Sequence, residues 1–119
     1  METRHVNELL KRLQFAWARK DAHAVAACFC PDGRYLSSIG PLPGDAATGR
    51  EDVERLVAAM MRADFGSTAA TTDLTLHQSG AVWKWRYDFP DGRTSFGCDL
   101  FRFRDGLIDT KDAYRKVLG

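Results

Sequence analysis

Apolar residues in the first third of the chain recur at helical spacing. Val6, Leu9, Leu10, Leu13 and Trp17 predict a helix from about Arg4 to Arg19, with Glu8, Lys11, Arg12 and Arg19 on its solvated face. Lys20-Asp21 breaks the pattern, and Asp21 can cap a second, short helix over Ala22–Phe29 that buries Val25, Cys28 and Phe29. Pro31-Asp32-Gly33 carries turn chemistry, and a short strand, Arg34–Ile39, is expected after it. The segment GPLPGDAATG is the longest irregular stretch. It ends in Thr48-Gly49-Arg50-Glu51, the pattern of a capping box. Val53, Leu56, Val57, Met60 and Met61 then follow at the spacing of a third helix, with Gly66 as its stop.

From Ala69 the period changes from that of a helix to two. Ala70–Gln78 reads as a strand, Ser79-Gly80 as a two-residue turn, and Ala81–Phe89 as the next strand. Pro90 to Arg93 makes a longer turn. Ser95 to Arg104, an Asp105-Gly106 turn and a last strand complete an antiparallel meander of four strands. On Ala81–Phe89 one face carries Trp83, Trp85, Tyr87 and Phe89, and the other Val82, Lys84, Arg86 and Asp88. On the neighbouring strand Asp99, Phe101 and Phe103 alternate with Leu100, Arg102 and Arg104. One face of the sheet is therefore aromatic, and the helices are expected to cover it. The architecture read from this pattern is α+β, as one domain over residues 1–119.

Composition narrows the function classes. Hydrophobic residues make up 45% of the 119-residue chain and charged residues 28%, ordinary values for a globular protein. Seventeen basic residues against 16 acidic leave a net charge of +1, so no global field favours nucleic acid or an anionic membrane. No apolar run reaches the ~20 residues of a membrane span. The amphipathic start METRHVNELLKRL resembles neither a secretory signal nor a transit peptide, and a cytoplasmic location is expected. Cys28, Cys30 and Cys98 are odd in number and lack metal-ligand spacing; they read as reduced thiols, and no metal site is expected.

The chemistry points to Asp99. A carboxylate that shares a strand face with Phe101 and Phe103 lies on the side meant for burial, which costs free energy unless the group is paired, hydrogen-bonded or protonated. Such a group can serve as a general acid or base, or be a structural carboxylate satisfied by a nearby donor. Lys111, across the Asp105-Gly106 turn, could reach Asp99 if the last strand has the right phase, and would then hold it ionised. Tyr114 could donate a hydrogen bond into a cavity or pack at a strand end. The expected wall of such a cavity is Leu13, Trp17, Val57, Met60, Met61, Trp83, Trp85 and Phe101, which would favour a flat, hydrophobic ligand.

Three stretches together carry a family resemblance: ARKDAHAVAACFCPDG before the first strand, TGREDV at the third helix, and GCDLFRFRDGLI near the end. They resemble the nuclear transport factor 2-like superfamily, in its polyketide-cyclase (SnoaL-like) and ketosteroid-isomerase branch. The resemblance implies a cone in which the sheet curls around three helices and leaves a deep apolar pocket, and it implies a homodimer formed through the outer sheet face. It places Asp99 where ketosteroid isomerases keep a neutral acid that donates to an oxyanion. Their proton-shuttling aspartate would fall near Ser37 and their tyrosine donor near Leu13, so two of three roles have no matching side chain. The phase of the last strand stays open: Ile108 sets Thr110, Asp112 and Tyr114 inward, whereas the resemblance favours Lys111 and Ala113. A bulge would reconcile the two.

Two functions are compatible with this reading. One is a cofactor-free isomerase, cyclase or dehydratase that moves a proton next to a carbonyl of a small hydrophobic molecule, with Asp99 as acid or base and Tyr114 or Lys111 holding negative charge. The other is a non-catalytic ligand-binding or dimerisation module of the same fold.

Overall fold

The computed structural model describes residues 2–38, 46–63 and 66–116. The elements run α1 (Thr3–Ala18), α2 (Ala22–Ala27), β1 (Phe29–Leu36), β2 (Ala46–Thr48), α3 (Arg50–Ala63), β3 (Thr68–His77), β4 (Gly80–Asp88), β5 (Thr94–Arg104) and β6 (Leu107–Arg115). They build an α+β cone, with the three helices laid against a six-stranded sheet of order β2-β1-β6-β5-β4-β3. Ile39 and residues 40–45 lie outside the described residues, and Ala46–Thr48, expected at the end of an irregular stretch, forms β2 by pairing with β1.

Each helix forms where its apolar stripe can be buried. Val6, Leu9, Leu10, Leu13 and Ala16 of α1 are buried, as are Val53, Val57, Met60 and Met61 of α3. Lys20, in the left-handed region at φ 59°, turns the chain out of α1. The Asp21 carboxylate then accepts from the Ala24 amide at 3.0 Å and caps α2. The capping box expected at Thr48–Glu51 is not what opens α3: Thr48 belongs to β2, and the Glu51 carboxylate accepts from Arg55 at 2.9 Å one turn on.

Three local readings are corrected by tertiary contacts. The chain enters β1 at Phe29 rather than Arg34, and a register shift between Phe29 and Arg34 absorbs Pro31 and Asp32 inside the strand. The β3–β4 turn is Gln78-Ser79, because Gly80 pairs with His77 as the first residue of β4. Glycine is required there by packing, since a Cβ would sit 1.9 Å from the Phe101 carbonyl oxygen. The sheet is also more than a meander: β1 runs parallel to β6 and pairs antiparallel with β2.

The phase of β6 is settled by a bulge. Arg102 pairs with Thr110 and Phe103 with Ile108, so Asp109 is the extra residue of the ladder. Ile108 and Lys111 are therefore both buried although three positions apart. Asp105 (φ 54°) and Gly106 (φ 78°) take the two left-handed positions of the tight turn before it.

Candidate functional site

β4 and β5 place a carboxylate between two indoles. Trp83 lies directly opposite Asp99 in the ladder, and Trp85 lies opposite Gly97, one inward position further along. Their N–H groups converge: Trp83 Nε1 donates to Asp99 Oδ2 at 2.5 Å and Trp85 Nε1 to Oδ1 at 3.1 Å. Gly97 makes this possible, because a Cβ there would fall 2.2 Å from the Trp85 ring and 2.3 Å from the Tyr114 carbonyl oxygen.

β6 and β1 supply the other half. Lys111 Nζ lies 3.4 Å from Asp99 Oδ2 and donates to the Tyr35 hydroxyl at 2.8 Å. Tyr35 is the register partner of Lys111 across the parallel β1–β6 ladder. The ammonium also sits 4.1 Å from the centroid of the Tyr35 ring and 5.4 Å from that of Trp17. Asp99 and Lys111 are each only 3% exposed. The three partners of the Asp99 carboxyl among the described residues are all donors, an arrangement suited to a group that accepts. Where the family resemblance implied an acid that donates, the Asp99 carboxyl here meets two indole N–H donors and the Lys111 ammonium.

The pair faces a cavity of about 440 Å³ enclosed by α1, the Met60 turn of α3 and the concave side of the sheet. Asp99, Lys111, Trp17, Met60, Trp83 and Trp85 line it. Leu13, Val57, Met61 and Phe101, expected on the same wall, are buried behind it as core. Their neighbours on the same helix and strand faces reach the cavity first, so these side chains have no surface left to offer. Tyr114 is corrected outright. It is 57% exposed on the outer face and donates to Asp112 at 3.2 Å, because the bulge at Asp109 turns Lys111 and Ala113 inward. The charge of Asp112 raises the Tyr114 phenol above its ordinary value. Ser37 and Leu13, near which the resemblance put two further catalytic roles, are fully buried; Ser38 rather than Ser37 lines the cavity.

Sequence reasoning missed Tyr35, Lys11, Tyr87 and Arg115, all of which line the cavity. Period two from the buried Gly33 would have turned Tyr35 inward, but nothing local announces that β1 lies beside β6. Among the described residues no three His, Cys, Asp or Glu side chains group as metal ligands. None of the described helices is long and apolar enough to cross a membrane.

The family is shown by comparison with known proteins. Residues 10–110 match the SnoaL-like domain, and the chain belongs to that family. Solved structures with the same fold include a nuclear transport factor 2-like protein of unknown function from Mesorhizobium loti. It shares 22% identity over 97% of this chain and 93% of that one, with a TM-score of 0.82. A Sinorhizobium meliloti protein described provisionally as a polyketide cyclase shares 18% over 95% and 99%, with a TM-score of 0.77. A Catenulispora acidiphila protein with a ketosteroid isomerase-like fold, in complex with trimethylamine, shares 21% over 90% and 84%, with a TM-score of 0.76. At these identities the likeness establishes the fold. No curated protein matches the chain.

Proposed function

We propose that the cavity binds a small, flat, largely apolar carbonyl compound and that Asp99 moves a proton next to its carbonyl. The observation that carries this reading is the Asp99–Lys111 pair, buried and yet lining a cavity walled by three tryptophans. Two indole bonds and one ammonium leave the Asp99 carboxylate a lone-pair direction for a substrate C–H. Abstraction of that proton leaves an enolate, whose oxygen Lys111, hydrogen-bonded to Tyr35 in the same lining, would hold. The proton held on Asp99 then returns to a different carbon, which gives an isomerase; or it goes to the alkoxide formed when the enolate carbon attacks a second carbonyl, as in a cyclase; or it joins the departing β-hydroxide as water, as in a dehydratase. No cofactor is needed for that balance. Nearness to polyketide-cyclase and isomerase descriptions among the structural neighbours supports the class.

The test is deuterium exchange at the α-carbon of bound cyclic ketones, followed by NMR. Wild type should catalyse exchange, and Asp99→Asn should lose at least about a hundredfold of the rate, the scale of general-base catalysis. Binding without exchange in either protein would overturn the catalytic part and leave a non-catalytic ligand module.

A second, independent reading concerns assembly. We propose a homodimer through the outer sheet face, where Phe96 and Leu100 of β5 and Tyr114 of β6 are exposed together. Lys84 and Arg86 flank this strip on the β4 side and Asp112 on the β6 side, so a two-fold axis along the strands would set opposite charges against each other. Leu100→Asp should convert the particle to a monomer by light scattering; an unchanged mass, or a monomeric wild type, would sink the idea.

A further inference from the structure

We propose that Lys111 is a nucleophile as well as a charge, and that it condenses with an aldehyde or a β-dicarbonyl ligand to form an iminium in the cavity. The inference rests on the reading of the cavity as a site for carbonyl compounds and adds a covalent step to it. A simple ketone leaves Lys111 a donor to the enolate oxygen. Aldehydes and β-dicarbonyls, which are more reactive toward amines, carry it further.

A lysine that condenses with a carbonyl needs an enclosed site, a neighbour that takes its proton, and surroundings that hold the iminium once it forms. Lys111 is buried, yet it lines the cavity. Lys11, Lys20, Lys84 and Lys116 are all exposed, each a hydrated ammonium with no such enclosure. The neighbour is Asp99, whose Oδ2 lies 3.4 Å from Lys111 Nζ, a gap that a shift of a few tenths of an ångström closes to hydrogen-bonding distance. A proton that crosses it turns an ion pair into a neutral acid and a neutral amine. An apolar ligand that fills the cavity expels water from the pair, which weakens the charge-separated form against the neutral one.

The free amine adds to the carbonyl carbon. The C–N bond forms, the C=O π bond breaks, and the proton on Asp99 goes to the oxygen. The added nitrogen then gives a proton to Asp99, which passes it to the new hydroxyl, and water leaves as the C=N bond forms. The sum is Lys111 ammonium plus carbonyl compound to iminium plus water, with Asp99 a carboxylate before and after. No oxidant or reductant enters.

The iminium stands where the ammonium stood. It keeps one positive charge at the Lys111 nitrogen, beside Asp99 and facing the rings of Tyr35 and Trp17, whose centroids lie 4.1 and 5.4 Å from Nζ. Contacts that hold the ammonium therefore hold the product as well. An iminium also draws electrons more strongly than the carbonyl it replaces, so removal of its α-proton by Asp99 gives an enamine.

Naphthaldehyde with cyanoborohydride tests the proposal, read by intact mass and peptide mapping of the full chain. Wild type should gain one naphthylmethyl group, on Lys111, at least about tenfold faster than on any exposed lysine, a small part of what an oriented pocket contributes. Benzoylacetone should show the same selectivity without a reductant, as a conjugated enaminone with a near-ultraviolet band. Asp99→Asn, its fold checked by circular dichroism, should slow labelling of Lys111 by about a hundredfold and leave the exposed lysines unchanged. Denaturant, which needs no variant, should erase the selectivity in wild type. Labelling spread evenly over the amines of the folded chain overturns the proposal. So does calorimetric binding of both compounds with Lys111 unmodified, and the cavity then remains a ligand site. If wild type neither binds nor is labelled, this inference and the ligand-site reading fall together. A Lys111 adduct without deuterium exchange in bound ketones keeps the nucleophile and overturns the general base.

Discussion

One strand, β6, displays the same kind of contact on its two faces with opposite consequences. Inward, Lys111 meets Asp99 with each residue 3% exposed. Outward, one position away, Tyr114 meets Asp112 at 3.2 Å on the surface, with Tyr114 57% exposed. Both contacts place a carboxylate beside a donor. The inner pair is out of water, where its charges must satisfy each other and where it faces a cavity. The outer pair is dissolved in solvent that competes with it at every moment. Burial, not residue type, separates a candidate catalytic group from a surface contact.

Breaking the inner pair should have the largest effect. Asp99→Asn leaves the Lys111 ammonium buried without its counter-charge and should cost about 3–5 kcal/mol in denaturant unfolding. Removing both charges with Asp99→Asn and Lys111→Met should cost clearly less than the two single changes summed. Strict additivity would mean that the two groups do not act as a pair.

Gly97 stands where the two faces touch, against the Trp85 ring on one side and the Tyr114 carbonyl on the other. Gly97→Ala should destabilise by roughly 1–3 kcal/mol through overpacking. It should also move the indole N–H resonance of Trp85 while that of Trp83 stays near its wild-type position. If Trp85 does not move, the glycine is not what lets its indole reach Asp99.

The smallest effects belong to the outer pair. The Asp112 charge raises the Tyr114 phenol, so the phenol should ionise later than an ordinary tyrosine in an ultraviolet titration, and Asp112→Asn should bring it back down. The folded-state value lies above the unfolded one. The contribution of the pair is thus whole below the unfolded value and lost as pH rises through the folded value. Tyr114→Phe should leave ligand binding in the cavity unchanged; a loss of binding would return Tyr114 to the site.

Much of this molecule was legible in one dimension. The stripe of Val6, Leu9, Leu10 and Leu13 and the alternation of Trp83, Trp85 and Tyr87 dictated helix and strand, because each period admits one backbone that buries its apolar side. The same alternation turned Asp99 inward. The indole bonds to Asp99, by contrast, depend on the β4–β5 register and on the close approach that Gly97 allows. Whether Lys111 or Tyr114 faces the cavity was decided by one extra residue at Asp109, since a shift of one position exchanges the faces of a strand. Tyr35 reached Lys111 only because strands 76 residues apart pair in parallel. Local pattern records which face a side chain takes; which partner it meets there is set by long-range pairing, and that is a property of the folded chain alone.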